Sequence, residues 1–424
     1  MATVHELAEE YDRTCREYGC VPSTFIVAAF NKEKDETILR KKHGELRENM
    51  NMRLRGNVHN LEHSKLTDHD VLMLCKTLES SENTYINRLD LKYNKITDEG
   101  ATTLAEFLKK NEVIKEVNLM DNDIEEDGAV ALAKVLHSNQ TLLSLRMNGN
   151  KFGNKGGMAF AQALQINTTL LELDVGETDQ KTESLIAFAT ALRENDTLKA
   201  LGMDSPLLFS VQEETTDHFA RMLKVNRGLV ELHLQKSRVR DFGATRLSEN
   251  LMENMTLQYL DLRCNRITRD GAKDLAKLLK MNGTLKVLDL GFNRIEDDGA
   301  IALAEALETS NMSLTTLGLQ SNQIGEKGLC ALANCMKINS SLTNIYVWGN
   351  QFEPKACEDF ARLVNTMRLD PTATDIQPYV VDEVTYVSEL SHGIRRNYFW
   401  EPCIGDSVPK DEEIDQRLVS FGVV

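Results

Sequence analysis

The stretch Leu260-Asp-Leu-Arg-Cys-Asn265-Arg-Ile-Thr-Arg-Asp-Gly271-Ala-Lys-Asp-Leu275-Ala-Lys-Leu-Leu279 decides how this chain folds. Its first half alternates Leu260 and Leu262 with Asp261 and Arg263, the pattern of a short strand with one face in a core. Its second half places Gly271, Ala272, Leu275, Ala276 and Leu279 along one side of a helix, where the small residues allow close approach to a sheet. The unit returns after 28 residues as Leu288, Leu290, Asn293 and Ile295. It follows again as Leu317, Leu319, Asn322, Ile324 and as Ile345, Val347, Asn350, Phe352. Toward the N-terminus the same pattern occurs at Leu89, Leu91, Asn94, Ile96, at Val117, Leu119, Asn122, Ile124 and at Leu145, Met147, Asn150, Phe152.

A strand and a helix recurring every 28 or 29 residues predict an α/β solenoid in which each unit buries its apolar face against its neighbours. Parallel strands stack about 4.8 Å apart and packed helices roughly 8–10 Å apart. The expected form is therefore a horseshoe with a concave parallel β-sheet and convex helices. The recurrent Asn at the end of each strand is expected to bond backbone groups of the turn and to stack as a ladder. A second recurrent set, Asn111, Asn139, Asn167, Asn195, Asn226, Asn254, Asn282, Asn311 and Asn339, follows each helix and is expected to form left-handed C-terminal caps.

Four segments follow from the pattern. Residues 1–48 read as an N-terminal helical cap, helical from Val4 to Tyr18, stopped at Gly19 and restarted after Pro22. Residues 49–85 are an irregular first repeat with an insertion, Val58 to Lys65, that is a candidate contact loop. Residues 86–367 form the regular array, and 368–424 leave the pattern altogether. Within the array, Thr178, Pro206 and Ser237 replace the ladder Asn, and Leu207, Leu208 and Phe209 are either core residues of a decayed repeat or a protruding apolar contact.

The formal net charge of −16 argues against nucleic acid or an anionic membrane as partner. No apolar run reaches the length that crosses a bilayer, and the polar stretch Met1 to Tyr11 does not read as a signal peptide, so a cytoplasmic protein is expected. The eight cysteines form no Cys-x-x-Cys pair and are expected to be reduced thiols. Sequons such as Asn139-Gln-Thr and Asn282-Gly-Thr all fall in the same turn, which a structural Asn explains better than a glycan. The glycine-rich segment Gly149–Gly157 lacks the Gly-Lys-Ser/Thr ending of a phosphate loop. Acidic clusters at Asp123, Glu125, Glu126, Asp127 and at Asp297, Asp298 suit either calcium or the positive end of a helix. No Ser, Cys or His constellation predicts catalysis, and no cofactor, metal or small-molecule substrate is expected.

The expected work is protein binding. Alternation places His233, Tyr259, Arg263, Tyr346 and Trp348 on the solvent side of the strands, with Tyr346 and Trp348 as leading contact residues unless the tail covers them. In the aromatic C-terminal segment, Tyr398, Phe399 and Trp400 are further candidates, and Gln377 to Leu390 is a candidate cap over the last repeat.

The period, the Asn ladder and the Gly-Ala-x-x-Leu-Ala-x-x-Leu helices resemble the ribonuclease-inhibitor-like subfamily of leucine-rich repeat proteins. That resemblance implies a leucine-rich repeat solenoid over about residues 86–367, in a subfamily that includes nuclease inhibitors, Ran GTPase activators and actin caps. The short helical N-terminus and aromatic, Pro-rich C-terminus are similar to members of germ cells and ciliated cells. This implies a scaffold in a larger assembly, such as the ciliary or flagellar axoneme, with the nucleus left open. The alternative is a regulator of a small GTPase, for which Arg240, Arg266, Arg269 and Arg294 are the candidates, set against surface pairing with Asp241, Asp270 and Asp297.

Overall fold

A computed structural model describes residues 4–32, 50–56, 65–81, 83–210 and 212–390. The chain forms two compact units, Met1–Leu207 and Leu208–Val424.

The first unit opens with α1 (Val4–Glu17) and α2 (24–32), separated by Gly19 at a left-handed φ of 69°. Leu7, Tyr11, Cys15, Ile26 and Phe30 are buried, with the Tyr11 and Phe30 rings 5.9 Å apart, and α1 packs on α3 (Asp68–Ser80). Strand β1 (Met50–Arg53) starts the parallel stack. Then come β2 (Ile86–Asp90), α4 (Asp98–Leu108), β3 (Glu116–Asn118), α5 (Glu126–Val135), β4 (Ser144–Arg146), α6 (Gly153–Leu164), β5 (Glu172–Asp174), α7 (Thr182–Ala191) and β6 (Ala200–Gly202). The register keeps one apolar row, Leu89, Val117, Leu145, Leu173 and Leu201, each paired with the next.

The second unit repeats the plan with α8 (Glu214–Val225), β7 (Glu231–His233), α9 (Asp241–Leu251), β8 (Tyr259–Asp261), α10 (Arg269–Met281), β9 (Val287–Asp289), α11 (Glu296–Thr309), β10 (Thr316–Gly318), α12 (Glu326–Ile338), β11 (Asn344–Tyr346) and α13 (Pro354–Asn365). Leu232, Leu260, Leu288, Leu317 and Ile345 form its matching row. After α13 the chain leaves the repeat. A 3-10 turn at Pro371–Ala373 leads into an antiparallel hairpin, β12 (Ile376–Val381) and β13 (Val384–Glu389), which packs on α13.

Three hydrogen-bonded ladders tie successive repeats within each unit. The first is the expected one: Asn293 Nδ2 donates to Leu262 O at 3.0 Å and to its own Leu290 O at 2.9 Å, while its Oδ1 accepts from Ile267 N at 3.0 Å. Asn122, Asn150, Asn265 and Asn350 likewise donate to a carbonyl 31 residues back. Thr178 cannot reach that far: it donates to Val175 O at 2.7 Å and accepts from Gln180 Nε2 at 3.0 Å, so the ladder is interrupted there.

The second ladder corrects the reading of the turn asparagines. They are not left-handed caps: Asn226, Asn282 and Asn339 are extended, with ψ of 137°, 122° and 121°. The side chain replaces the cap. Asn282 Nδ2 donates to Leu251 O and Asn254 O, both at 2.9 Å, and Oδ1 accepts from Thr284 N and Leu285 N. Left-handed backbone occurs elsewhere, at the residue before each strand-end Asn, including Gly149 (φ 83°), Cys264 (55°), Phe292 (60°) and Gly349 (82°).

The third ladder is acidic. Asp241 Oδ1 accepts from Thr268 N at 2.7 Å and Gly271 N at 3.0 Å, in the first turn of the next helix. Asp297 does the same for Gly325 N and Gly328 N, at 2.8 and 2.9 Å. This explains the helical glycine more directly than close sheet packing does, because a Cβ on Gly271 would meet Asp241 Oδ1 at 2.6 Å.

Candidate interaction surfaces

The side of the sheet facing away from the helices carries the polar members of each strand. Alternation gives their direction correctly but not their exposure. In the second unit Tyr259, His233, Arg263 and Tyr346 are buried, which overturns the expectation of exposed contact residues at those positions. Neighbouring strands bring side chains of one row into contact, and this row is built of opposite charges that satisfy one another along the sheet.

The row centres on His233. Its Nε2 faces Glu231 Oε1, its Nδ1 lies 3.3 Å from Asp261 Oδ2, and its ring lies 5.1 Å from that of Tyr259. Arg263 donates from Nε to Asp261 Oδ1 at 3.0 Å and lies 3.1 Å from Asp289 Oδ2. Burial works against a charged imidazole, but the carboxylates of Glu231 and Asp261 outweigh it and push the His233 pKa up to about 10. Burial also opposes the Asp261 charge, and the Arg263 guanidinium beside it holds the carboxyl well below its usual range. The Tyr259 hydroxyl is raised by burial and by Asp261 and Asp289. The first unit carries a lighter version of the row, with Arg88–Glu116 at 3.1 Å and Ser144 Oγ donating to Glu172 at 3.0 Å.

Trp348 is half-buried and so keeps part of its surface available at the end of the stack. Its backbone N–H and that of Val347 donate to Asp375, a residue with no counterpart in the repeat. Tyr398, Phe399 and Trp400 lie outside the described residues, as does the 58–64 part of the insertion. The alternatives at 207–209 divide: Leu208 is buried, Leu207 is partly exposed and Phe209 is exposed.

The remaining candidates acquire structural roles. Asp127 pairs with Lys155 at 2.8 Å, and Asp297 holds the next helix, as above. Among the described residues, no group of three or more His, Cys, Asp or Glu is placed to hold a metal ion. The cysteines among them are free, and burial pushes the Cys75 and Cys335 thiols up to about 12. Surface pairing of the candidate arginines differs from expectation: Asp241 and Asp297 serve backbone amides, and Arg269 pairs with Glu296 at 3.3 Å. Among the described residues, no helix is long and apolar enough to cross a membrane.

The stacked strand–helix units with their Asn ladder match the Leucine Rich repeat family model at residues 82–105, 110–133, 138–161, 253–276, 282–304 and 310–333. The repeats are leucine-rich repeats. The matched segments lie on either side of 162–252, where Thr178, Pro206 and Ser237 replace the strand-end Asn. Over 224 residues the leucine-rich repeat chain is 45% identical to leucine-rich repeat-containing protein 34 of Mus musculus and of Rattus norvegicus, covering 53% of this chain and 54% of each relative. The Homo sapiens protein of the same name is 46% identical over 53% of this chain and 48% of its own length. The chain thus spans about half the length of the curated relatives it matches. Among solved structures, leiomodin-1 actin-binding site 2 aligns with 36% of this chain and 88% of its own at 25% identity and a TM-score of 0.31. An internalin from Listeria monocytogenes aligns with 89% of this chain and 98% of its own at 15% identity and a TM-score of 0.42.

Proposed function

We propose that this leucine-rich repeat protein is a non-enzymatic protein-binding scaffold and a structural component of the ciliary or flagellar axoneme. The observation that carries the scaffold reading is the division of labour within each repeat. Ladder asparagines and aspartates satisfy the internal backbone, as at Asn293, Asn282 and Asp241, so the variable side chains around each turn are available for recognition. The axonemal placement rests on the resemblance of the flanking segments to members of ciliated cells.

Proximity labelling of the tagged protein in ciliated cells tests the reading. The expected result is enrichment of axonemal proteins, with stoichiometric capture weakened by Trp348→Ala or by deletion of 397–424. Enrichment of a small GTPase without axonemal proteins would overturn it in favour of a regulator.

A further inference from the structure

The second Asn ladder of the Leu208–Val424 unit lines up one exposed apolar residue from each of six consecutive repeats. They are Val225, Met255, Met281, Met312, Ile338 and Met367, each 44–80% exposed. All but the last are immediate neighbours of a ladder Asn, and the ladder fixes their spacing. Asn254 Nδ2 donates to Asn226 O, Asn282 to Asn254 O, Asn311 to Asn282 O and Asn339 to Asn311 O. Arg368 continues the series by donating to Asn339 O, which brings Met367 into the same row. The first unit has the same ladder without the ridge. Beside its asparagines stand Lys110, Glu112, Ser138, Gln140, Thr168, Glu194 and Asp196, with Ile166 the apolar exception.

The charge around the ridge departs from that of the chain. Within three residues of its members lie five cations, Lys224, Arg227, Lys280, Lys337 and Arg368, against two carboxylates, Glu253 and Asp370, in a chain of net charge −16. Lys337 also bonds Asp359 at 3.0 Å, and Arg368 is engaged on carbonyls. A row of apolar side chains with a cationic border fits an apolar face with an acidic border. The backbone groups along this edge are already bonded by ladder side chains, as at Leu251 O, Asn254 O and Leu279 O. An added β-strand would find few free groups to pair with. A helix brings its own backbone bonds satisfied and presents a continuous apolar face along its length. Methionine, unbranched and polarizable, adapts to such a face.

We propose that this ridge docks an acidic amphipathic helix of a partner protein. The proposal rests on the scaffold reading but concerns a different face from Trp348.

The test uses the full chain and a fluorescein-labelled 20-residue synthetic helix carrying Leu on one face and Glu on the other. A control peptide has Lys in place of Glu. Anisotropy titration is expected to show the Glu peptide binding at least about tenfold more tightly than the Lys peptide. Combined Met255→Gln, Met281→Gln and Met312→Gln should weaken it at least about tenfold with an unchanged circular dichroism spectrum. Ile166→Gln in the first unit should leave it unchanged. Charge reversal at exposed sites, Lys224→Glu with Lys280→Glu, should weaken the Glu peptide and strengthen the Lys peptide, whatever the Met variants do to folding. Absence of binding, equal binding of both peptides, or undiminished binding by these variants overturns the proposal. So does transfer of the Met effect to anionic phosphatidylserine vesicles or to self-association in sedimentation, since the ridge would then serve a membrane or a second copy. Undiminished capture by the Trp348→Ala variant, with intact ridge binding, would remove the proposed scaffold role of the strand face and leave this site standing.

Discussion

Asp375 closes the end of the stack by accepting from Val347 N at 2.8 Å. In earlier repeats the equivalent amide donates to a carbonyl of the next strand, as Leu319 N does to Tyr346 O at 2.8 Å. The last strand has no successor, and a carboxylate from the following turn takes that carbonyl's place while Leu390 N donates to Asp375 O. Burial raises the Asp375 pKa to about 6 although the Val347 and Trp348 amides pull it down. The folded chain therefore prefers the protonated acid. The contribution to stability is full below the ordinary carboxyl pKa and is lost as pH rises through about 6. Asp375→Asn keeps an acceptor without the charge, so at about pH 7 its urea midpoint should equal or exceed the parent's and its acid-side pH dependence should flatten. Asp375→Leu strands two amides and should cost about 2–4 kcal/mol.

The His233 row gives a second pH window. Its folded pKa, about 10, stands above the ordinary 6.5, so the stabilisation is complete below about 6.5 and fades as pH rises through about 10. Urea unfolding of the parent across that range should show the decline. His233→Ala should flatten it and cost about 3–5 kcal/mol near neutrality by leaving Glu231 and Asp261 without their shared cation.

Asn293→Ala removes three carbonyl contacts and one amide contact at a buried site. A loss of about 2–4 kcal/mol is expected in urea titration, since the stranded groups cannot reach water. A loss below about 0.5 kcal/mol would show that the ladder is dispensable there.

Gly271→Ala should destabilise, by about 1–3 kcal/mol, although alanine favours a helix. The added methyl would meet Asp241 Oδ1. In a double-mutant cycle with Asp241→Ala the alanine penalty should shrink, because the second change removes the obstructing carboxylate. Additive thermal unfolding shifts would refute that cause.

Phe292 is exposed at a φ of 60°, where side chains other than Gly or Asn are strained. Phe292→Gly should therefore raise stability by about 0.5–1 kcal/mol, read as an upward shift of the thermal midpoint.

Much of the repeat was legible in the sequence because it depends on local geometry. The Leu260, Leu262 alternation and the Leu275, Leu279 spacing state which side of a strand or helix each residue occupies, and Asn265 and Asn293 announce a bonded turn. The candidate site was legible only in part. Tyr259 and Tyr346 lie on the strand face that alternation indicates, yet both are buried. The Met ridge left a readable trace, an apolar residue beside each of Asn226, Asn254, Asn282, Asn311 and Asn339, but a reading of those asparagines as caps hides the row they form.

The period, the strand and helix faces and the identity of the ladder asparagines are written into the residue order, because they follow from spacing along one segment. That Asp241 serves Gly271, that Asp375 serves Val347 and that His233 is held between Glu231 and Asp261 emerges from the packing of one repeat on the next. Spacing fixes a side chain's direction from its own backbone. Its burial, its charge state and the group it bonds depend on what is packed beside it, and in a stack of repeats that neighbour is most often about one repeat away in the chain.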